Sequence, residues 1–491
     1  MREAGARRPA GRIEGLAGRG ERRGGRIEGL AGRGERRGGR FKGLAGRIED
    51  LVGRIEAGTP DGRDRALDGL RALAIAGVVL GHWLVTALVL DSGALRGASP
   101  LAYQPELAPV SWTLQTLAVF FWVGGRTAAR GYAAARAGGV GYGSWVRGRL
   151  ARLARPVVPV LAVWSVVAVA MLALGAGQQT VYALFRLVLS PMWFLLVYAA
   201  LTAATPLAAR THPGWPLAVV ALADLVRYGL DGPAWAGWIN LPAGWLVPYC
   251  LGAARVWDGP RARAAGWWLL AGGAALTAGL VLWAGYPAAM VGVPGAAVSN
   301  LSPPTLAAVA FGLAQCGAAR LLHDPLRRAL RRPAAWAVVA LVNLAAMTLF
   351  LWHQTAMMAV TALGLLAGRP LPGLHTVPAD AGWLLARLAW LPAFAVVLLV
   401  CLAAFHAYER GSSGTVDRQG SSSAARRLGS SARPGTDPAD RPARAGTGLD
   451  GRSTRAGTGL DGRSARDGAR MDSGSARAGS GLGHGEAVGN V

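Results

Sequence analysis

Apolar positions in this chain are gathered into long blocks, and polar positions into its two ends. Between residues 66 and 408 the sequence passes through about ten apolar segments. They fall at about 68–90, 110–130, 153–175, 190–208, 215–230, 236–256, 265–286, 304–322, 335–366 and 383–407. Roughly 20 apolar residues, at about 1.5 Å rise each, cover the hydrocarbon core of a bilayer. The stretch at 215–230 is short and holds Asp224 and Arg227, so it and its successor carry the weakest signal. The stretch at 335–366 exceeds one crossing, which predicts a tilt or an interruption. The pattern predicts an all-α, polytopic membrane bundle of about ten transmembrane helices between disordered polar tails at 1–65 and 409–491.

The tails differ from the middle in kind. GRIEGLAGRGERRG fills Gly11 to Gly24, recurs unchanged at Gly25 to Gly38 and degenerates from Gly39 onward. RAGTGLDGRS begins at Arg444 and again at Arg455. These repeats are too short and too rich in glycine to build a stacked core. An amphipathic helix near Phe41 to Glu56 is the one element the N-terminal tail offers. No cleavable signal peptide is expected, since no apolar core follows the first basic residues.

Charge changes the picture by giving an orientation. Loops after the even-numbered segments hold about 16 arginines and the opposite loops about four. The positive-inside rule then predicts a multi-pass protein of the cell membrane with both termini cytoplasmic. The net charge of +25 comes mainly from arginine in a composition biased to Ala, Gly and Arg. Such a bias fits GC-rich coding and is poor evidence for nucleic-acid binding, so no nucleic acid is expected among the partners. Cys250, Cys316 and Cys401 lie in apolar stretches without CxxC spacing, which argues against a disulfide framework and a zinc site.

Candidate chemistry concentrates in the first segment, Asp68 to Leu90. Arg71 and His82 are eleven positions apart. On a helix that leaves them about 20° apart around the axis and about 16 Å apart along it. Asp68 falls about 40° from His82 on the same stripe. Ionisable groups at membrane depth are functional by default. Quieter readings stay open: His82 bonded to a neighbouring helix, Arg71 extended to the headgroups, Asp68 paired with Arg71. After the second segment come Arg147, Arg149, Arg152 and Arg155, with two overlapping RxxR pairs. Residues three apart share a helix face, so these guanidiniums can converge on phosphate; membrane topology alone also accounts for them.

These residues resemble a known family. RALDGLRALAIAGVVLGHW (Arg65 to Trp83), with its Arg71 and His82, looks like the first helix of the acyltransferase-3 family of integral membrane acyltransferases. FFWVGGRTAA, RGRLARLARPVVP, PMWFLLVYAALTAATP, NLSPPT and LFLWHQT resemble its later segments in the same order. The similarity covers roughly residues 65–408 and neither tail. It implies a ten-helix, stand-alone membrane form with no soluble domain after the last helix. It implies transfer of an acyl group, commonly acetyl, from cytoplasmic acyl-CoA to a hydroxyl of a carbohydrate, a lipid-linked sugar or another acceptor. No permanently bound cofactor and no metal is expected; acyl-CoA is the donor substrate and the lipid bilayer the solvent.

The resemblance assigns the essential basic residue to Arg71 and the histidine to His82. The RxxR loop maps onto Arg149 and Arg152, with Arg155 offering a second register. On this basis His82 is the general base, Arg71 orients the donor, and Arg149, Arg152 and Arg155 are candidates to hold CoA phosphates. Asp68 would fix Arg71. His353 would line the acceptor path or make a structural hydrogen bond. Trp193 and Trp352 are candidate cavity aromatics, unless they belong to the interfacial belt. The Ser302-Pro303-Pro304 run would shape a re-entrant turn or a plain loop. A proton-coupled transporter is the competing reading, since ten spans, a midplane histidine and a broken helix suit it too. Against it, the spans show no internal duplication. A membrane scaffold acting through its tails is the third, and would be indifferent to His82.

Overall fold

The computed structural model describes residue 43, residues 46–254 and residues 259–410. The chain divides into units at 1–419 and 420–491, and the second lies outside the described residues, as do both sets of repeats. A helix over 46–57 (α1) precedes Arg65–Val85 (α2). A hairpin follows, Ala87–Asp91 (β1) paired antiparallel with Ala94–Ala98 (β2). Two short helices, Pro100–Tyr103 (α3) and Ala108–Ser111 (α4), lead to Leu117–Ala137 (α5). Then come Tyr142–Ala154 (α6), Val157–Ala173 (α7), Gln178–Leu189 (α8), Met192–Ala203 (α9) and Thr205–Ala208 (α10). Gly214–Asp224 (α11), Asn240–Ala253 (α12), Ala262–Trp283 (α13) and Leu306–Ala329 (α14) continue the bundle. Pro333–Leu344 (α15), Ala346–Gly364 (α16) and Ala381–Arg410 (α17) complete it.

Among the described residues, seven helical stretches are long and apolar enough to cross a membrane. They are Arg65–Val85, Tyr142–Ala173, Gln178–Ala203, Ala262–Trp283, Leu306–Ala329, Ala346–Ala367 and Ala381–Glu409. The chain is a multi-pass membrane protein by this measure, with seven such helices in place of the ten expected. The shortfall has local causes. α5 has the length, 21 residues, but carries Arg126, Arg130 and Arg136. α11 and α12 have 11 and 14 residues, too short for a straight crossing. The long ninth segment is interrupted at Ala345, between α15 and α16.

The first span also ends earlier than its apolar run. Thr86 leaves the helix with extended backbone, and Val89 and Leu90 belong to β1. Ser92 and Gly93 turn the hairpin with φ of 49° and 79°. A two-residue loop with both residues at positive φ matches the right-handed twist of the strands. So an apolar stretch that reads as helix is divided between a membrane helix and a hairpin.

The N-terminal tail is ordered sooner than expected. α1 is joined to α2 by Arg65 Nη2, 2.6 Å from Glu56 Oε1. Trp336 of α15 donates its Nε1–H to Thr59 Oγ1 at 2.8 Å, and the Arg65 guanidinium lies 5.0 Å from the Trp336 ring centre. An indole stacked under a guanidinium gives both groups a partner at the helix end.

Asp64 begins α2. It accepts from the Leu67 amide at 3.1 Å, from Arg130 Nη1 at 3.2 Å and from His323 Nε2 at 3.0 Å, and so ties α2 to α5 and α14. Burial alone would raise its carboxyl. The His323 imidazole, the Leu67 amide and Arg130 outweigh burial and hold it well below the ordinary value of 3.8. A carboxyl depressed in the folded state contributes stability that is present above 3.8 and lost as pH falls below it. Asp64→Asn is therefore expected to cost about 1.5–3 kcal/mol near neutral pH, the worth of hydrogen bonds to a charged group. Thermal midpoints in detergent from about pH 6 to about pH 3 check this, because the gap to wild type must close on acidification.

Candidate functional site

α2 carries Arg71 and His82, both half-buried. Gln354 Nε2 lies 3.0 Å from His82 Nδ1, and the His353 ring centre lies 5.0 Å from that of His82 with the planes at 42°. His353 and Gln354 come from α16 and are fully buried. His353 donates its Nδ1–H to the Phe350 carbonyl at 2.6 Å, which leaves the lone pair on Nε2. That nitrogen is buried without a partner, as is Gln354 Oε1. Trp83, next to His82, donates to the His353 carbonyl at 2.9 Å and so fixes the spacing of the two helices.

Behind this pair stands Arg387 of α17, 1 % exposed. Its Nε donates to the Trp83 carbonyl at 2.6 Å and its Nη2 to the Thr86 carbonyl at 2.8 Å, both at the C-terminal end of α2. Its Nη1 donates to the Gly373 carbonyl at 2.8 Å. The last carbonyls of a helix have no partner within it and carry partial negative charge, so a guanidinium is well matched to them.

A second group gathers around Arg71. Its Nη2 donates to Thr127 Oγ1 of α5 at 3.4 Å. Arg149 leaves α6 toward the same region, its guanidinium 5.5 Å from the Trp145 ring centre. Tyr198 of α9 is within electrostatic reach of both Arg71 and Arg149, and Arg149 also senses Tyr249. An apolar cavity lies beside these groups, with none of His82, His353, Arg71 or Arg149 in its lining. Its lining includes Tyr198 from the arginine side and Phe350, which holds His353, together with Phe120, Leu153, Phe194 and Met347.

The sequence-predicted residues divide accordingly. His82 and His353 meet, and Arg71 and Arg149 share Tyr198. Arg152 is exposed and donates to Gly148 of its own helix at 3.2 Å, while Arg155 is exposed at the end of α6. Asp68 does not hold Arg71: it pairs with Arg63 at 2.7 Å, from the turn before α2, while Arg71 points to α5. Trp193 is half-buried and packs on Phe194 and Trp245, both 6.2 Å away. Trp352 stacks flat on Phe405 of α17, ring centres 4.0 Å apart, on a partner outside the site.

The proline run lies away from these groups. Thr305 caps α14, and Thr305 Oγ1 donates to Asn300 Oδ1 at 2.6 Å. Asp224, buried nearby, accepts from the Leu306 amide, Tyr286 and Asn240 at 2.6, 2.9 and 2.7 Å. Tyr198, Thr127, Gln354 and Arg387 were not anticipated. Arg387 had a signal, being a lone cation inside an apolar span; Tyr198 and Thr127 lie in segments that carry the family resemblance, but no spacing singled them out.

No curated protein and no solved structure matches the chain. The family model of acyltransferase 3, described as an acyltransferase domain, matches residues 64–406. That match takes in α2 through most of α17 and every group above, and by it the chain belongs to the acyltransferase 3 family of membrane acyltransferases.

Proposed function

We propose that the protein moves an acyl group, acetyl in the simplest case, from acyl-CoA to a hydroxyl of a carbohydrate or lipid-linked sugar. The observation that carries this reading is the paired arrangement on α2: a histidine against α16 at one end and an arginine sharing Tyr198 with Arg149 at the other, with an apolar cavity lined by Tyr198 and by Phe350, whose carbonyl holds His353. Guanidiniums recognise phosphate by charge-assisted hydrogen bonds. Arg149 with Arg71 would hold the donor, with Arg152 and Arg155 meeting the CoA phosphates from the exposed surface. The arginine-rich end faces the cytoplasm, where acyl-CoA is found, and both termini lie on that side.

His82 then acts on the acceptor. Its imidazole takes the hydroxyl proton as the oxygen attacks the thioester carbonyl carbon. The carbon–oxygen bond forms, the carbon–sulfur bond breaks, and the proton passes from the imidazole to the leaving sulfur, giving an ester and free CoA. A positioned general base accounts for about 10²–10⁴ in rate.

The test is CoA release from acetyl-CoA by purified protein in nanodiscs, with cell-envelope extract as acceptor. His82→Ala is expected to lose at least about 100-fold in turnover while still binding acetyl-CoA. Release that survives intact in His82→Ala, or wild-type protein that does not bind acetyl-CoA, would sink the proposal. Flux of protons or solute in proteoliposomes would then identify a transporter.

A further inference from the structure

The carboxamide of Gln354 stands against Nδ1, one of the two ring nitrogens of His82. Nδ1 and the amide are 3.0 Å apart, deep between α2 and α16. A carboxamide has one accepting and two donating edges, and a neutral imidazole has two tautomers, so the orientation of one fixes the other. With the amide nitrogen toward Nδ1, the imidazole proton must sit on Nε2, which blocks that atom as a base. The amide oxygen is then buried with no partner. With the oxygen toward Nδ1, the orphaned acceptor finds a donor, and Nε2 carries a free lone pair.

The second arrangement gives the buried oxygen a donor and turns the amide N–H groups to the place where that oxygen had none. An unpartnered buried acceptor bears its full desolvation penalty, and the site already holds another in His353 Nε2. In that arrangement His353 Nε2 is the acceptor of the two that stays without a donor.

We propose that Gln354 is the positioning residue of His82: its side-chain oxygen accepts the Nδ1 proton, holding Nε2 unprotonated and facing the acceptor hydroxyl. This rests on the reading of His82 as general base. When His82 takes the hydroxyl proton, the Nδ1–H remains on the amide oxygen and the imidazolium is held in place until its Nε2 proton passes to sulfur. An amide does this without adding a charge, whereas a carboxylate would raise the proton affinity of the imidazole.

The surroundings of His82 leave Gln354 this role. The titratable and charged groups near it are His353 from α16 and Arg387 from α17, the latter engaged with the carbonyl of Trp83. The charged or titratable groups that α5 and α14 bring to α2, Arg130 and His323, meet Asp64 at its opposite end, and Thr116 before α5, Leu330 after α14 and Asn343 of α15 meet it without charge.

Nitrogen NMR of histidine-labelled protein in nanodiscs tests the assignment, with His82→Ala identifying the His82 signal. Wild type is expected to show His82 as the Nδ1–H tautomer. Gln354→Met is expected to move it toward Nε2–H and to lower CoA release roughly 10- to 100-fold at unchanged KM for acetyl-CoA. Gln354→Glu is expected to keep the Nδ1–H form and to retain the His82 proton to higher pH. An Nε2–H tautomer in wild type, or an unchanged tautomer in Gln354→Met, overturns the proposal. Loss of the base reading itself would show differently, as CoA release that persists in His82→Ala.

Discussion

Gly252→Ala is expected to leave no folded membrane domain. Gly252 of α12 lies against the backbone of α5, where an added Cβ would fall on the Trp122 carbonyl. The contact is reciprocal, since a Cβ at Gly125 of α5 would fall on the Tyr249 carbonyl of α12. Neither obstacle is a side chain that could swing aside. Small residues let helix backbones meet this closely in a membrane, and here a glycine on each helix faces a carbonyl of the other, Gly252 that of Trp122 and Gly125 that of Tyr249. Overpacking costs about 1–3 kcal/mol where neighbours can shift and more where they cannot. A cost above that range is expected here, and Gly125→Ala should behave alike. The measurement is the size-exclusion profile and thermal midpoint in detergent. Gly272→Ala is the control, because nothing lies within 4 Å of a Cβ there. A monodisperse Gly252→Ala protein with a wild-type midpoint would refute the argument. The crossing also bears on the site, for Thr127 on α5 receives Arg71 and Tyr249 on α12 is among the groups that Arg149 senses.

Arg387→Met is expected to be nearly as severe. Its guanidinium donates to three carbonyls, those of Trp83, Thr86 and Gly373. Each buried acceptor left unpaired costs about 1–3 kcal/mol, so a total of at least about 3 kcal/mol is expected even if part of the loss relaxes. The damage should be local first. Trp83 and Thr86 end the helix that carries His82, and β1 begins one residue later. Hydrogen exchange should rise around residues 82–90 before the rest of the bundle opens, and the thermal midpoint should fall. Arg387→Lys should recover only part of the loss, since an ammonium is a compact point donor and lacks the planar fork that spans separate acceptors. Unchanged exchange at the end of α2 in Arg387→Met would show that these bonds do not hold it.

Much of the bundle was legible because periodicity and hydrophobic length are direct consequences of bilayer thickness. Arg71 and His82 share a stripe of α2 by simple helix arithmetic, and that arithmetic needs no knowledge of the partners. The partners come from elsewhere in sequence: Thr127 is 56 residues from Arg71 and Gln354 is 272 from His82. No local pattern carries such distances. Asp68 shows the limit from the other side. A carboxylate three residues from an arginine on a helix suggests a pair, yet Arg63, in the preceding turn, takes that carboxylate. The hairpin after α2 was hidden because Val89 and Leu90 are as apolar as a span requires, and only Ser92-Gly93 marks the reversal. Trp352 reads from sequence as a cavity aromatic or an interfacial-belt tryptophan, and the pattern does not reveal that its indole stacks on Phe405.

Glu409 sets where this protein can be shortened. Its carboxylate accepts from the Met347 and Thr348 amides at 3.0 and 3.1 Å and from the Thr348 hydroxyl at 2.8 Å. α16 has no side-chain cap of its own, so the first turn of the helix bearing His353 and Gln354 is closed by a residue near the far end of α17. Hydropathy would place a cut near residue 407, and the family match stops at 406. Either truncation removes the clasp and unravels the base of the helix that faces His82. A trimmed protein that keeps Glu409 retains it, and two or three residues at the margin of the apolar sequence thereby separate an intact site from a frayed one.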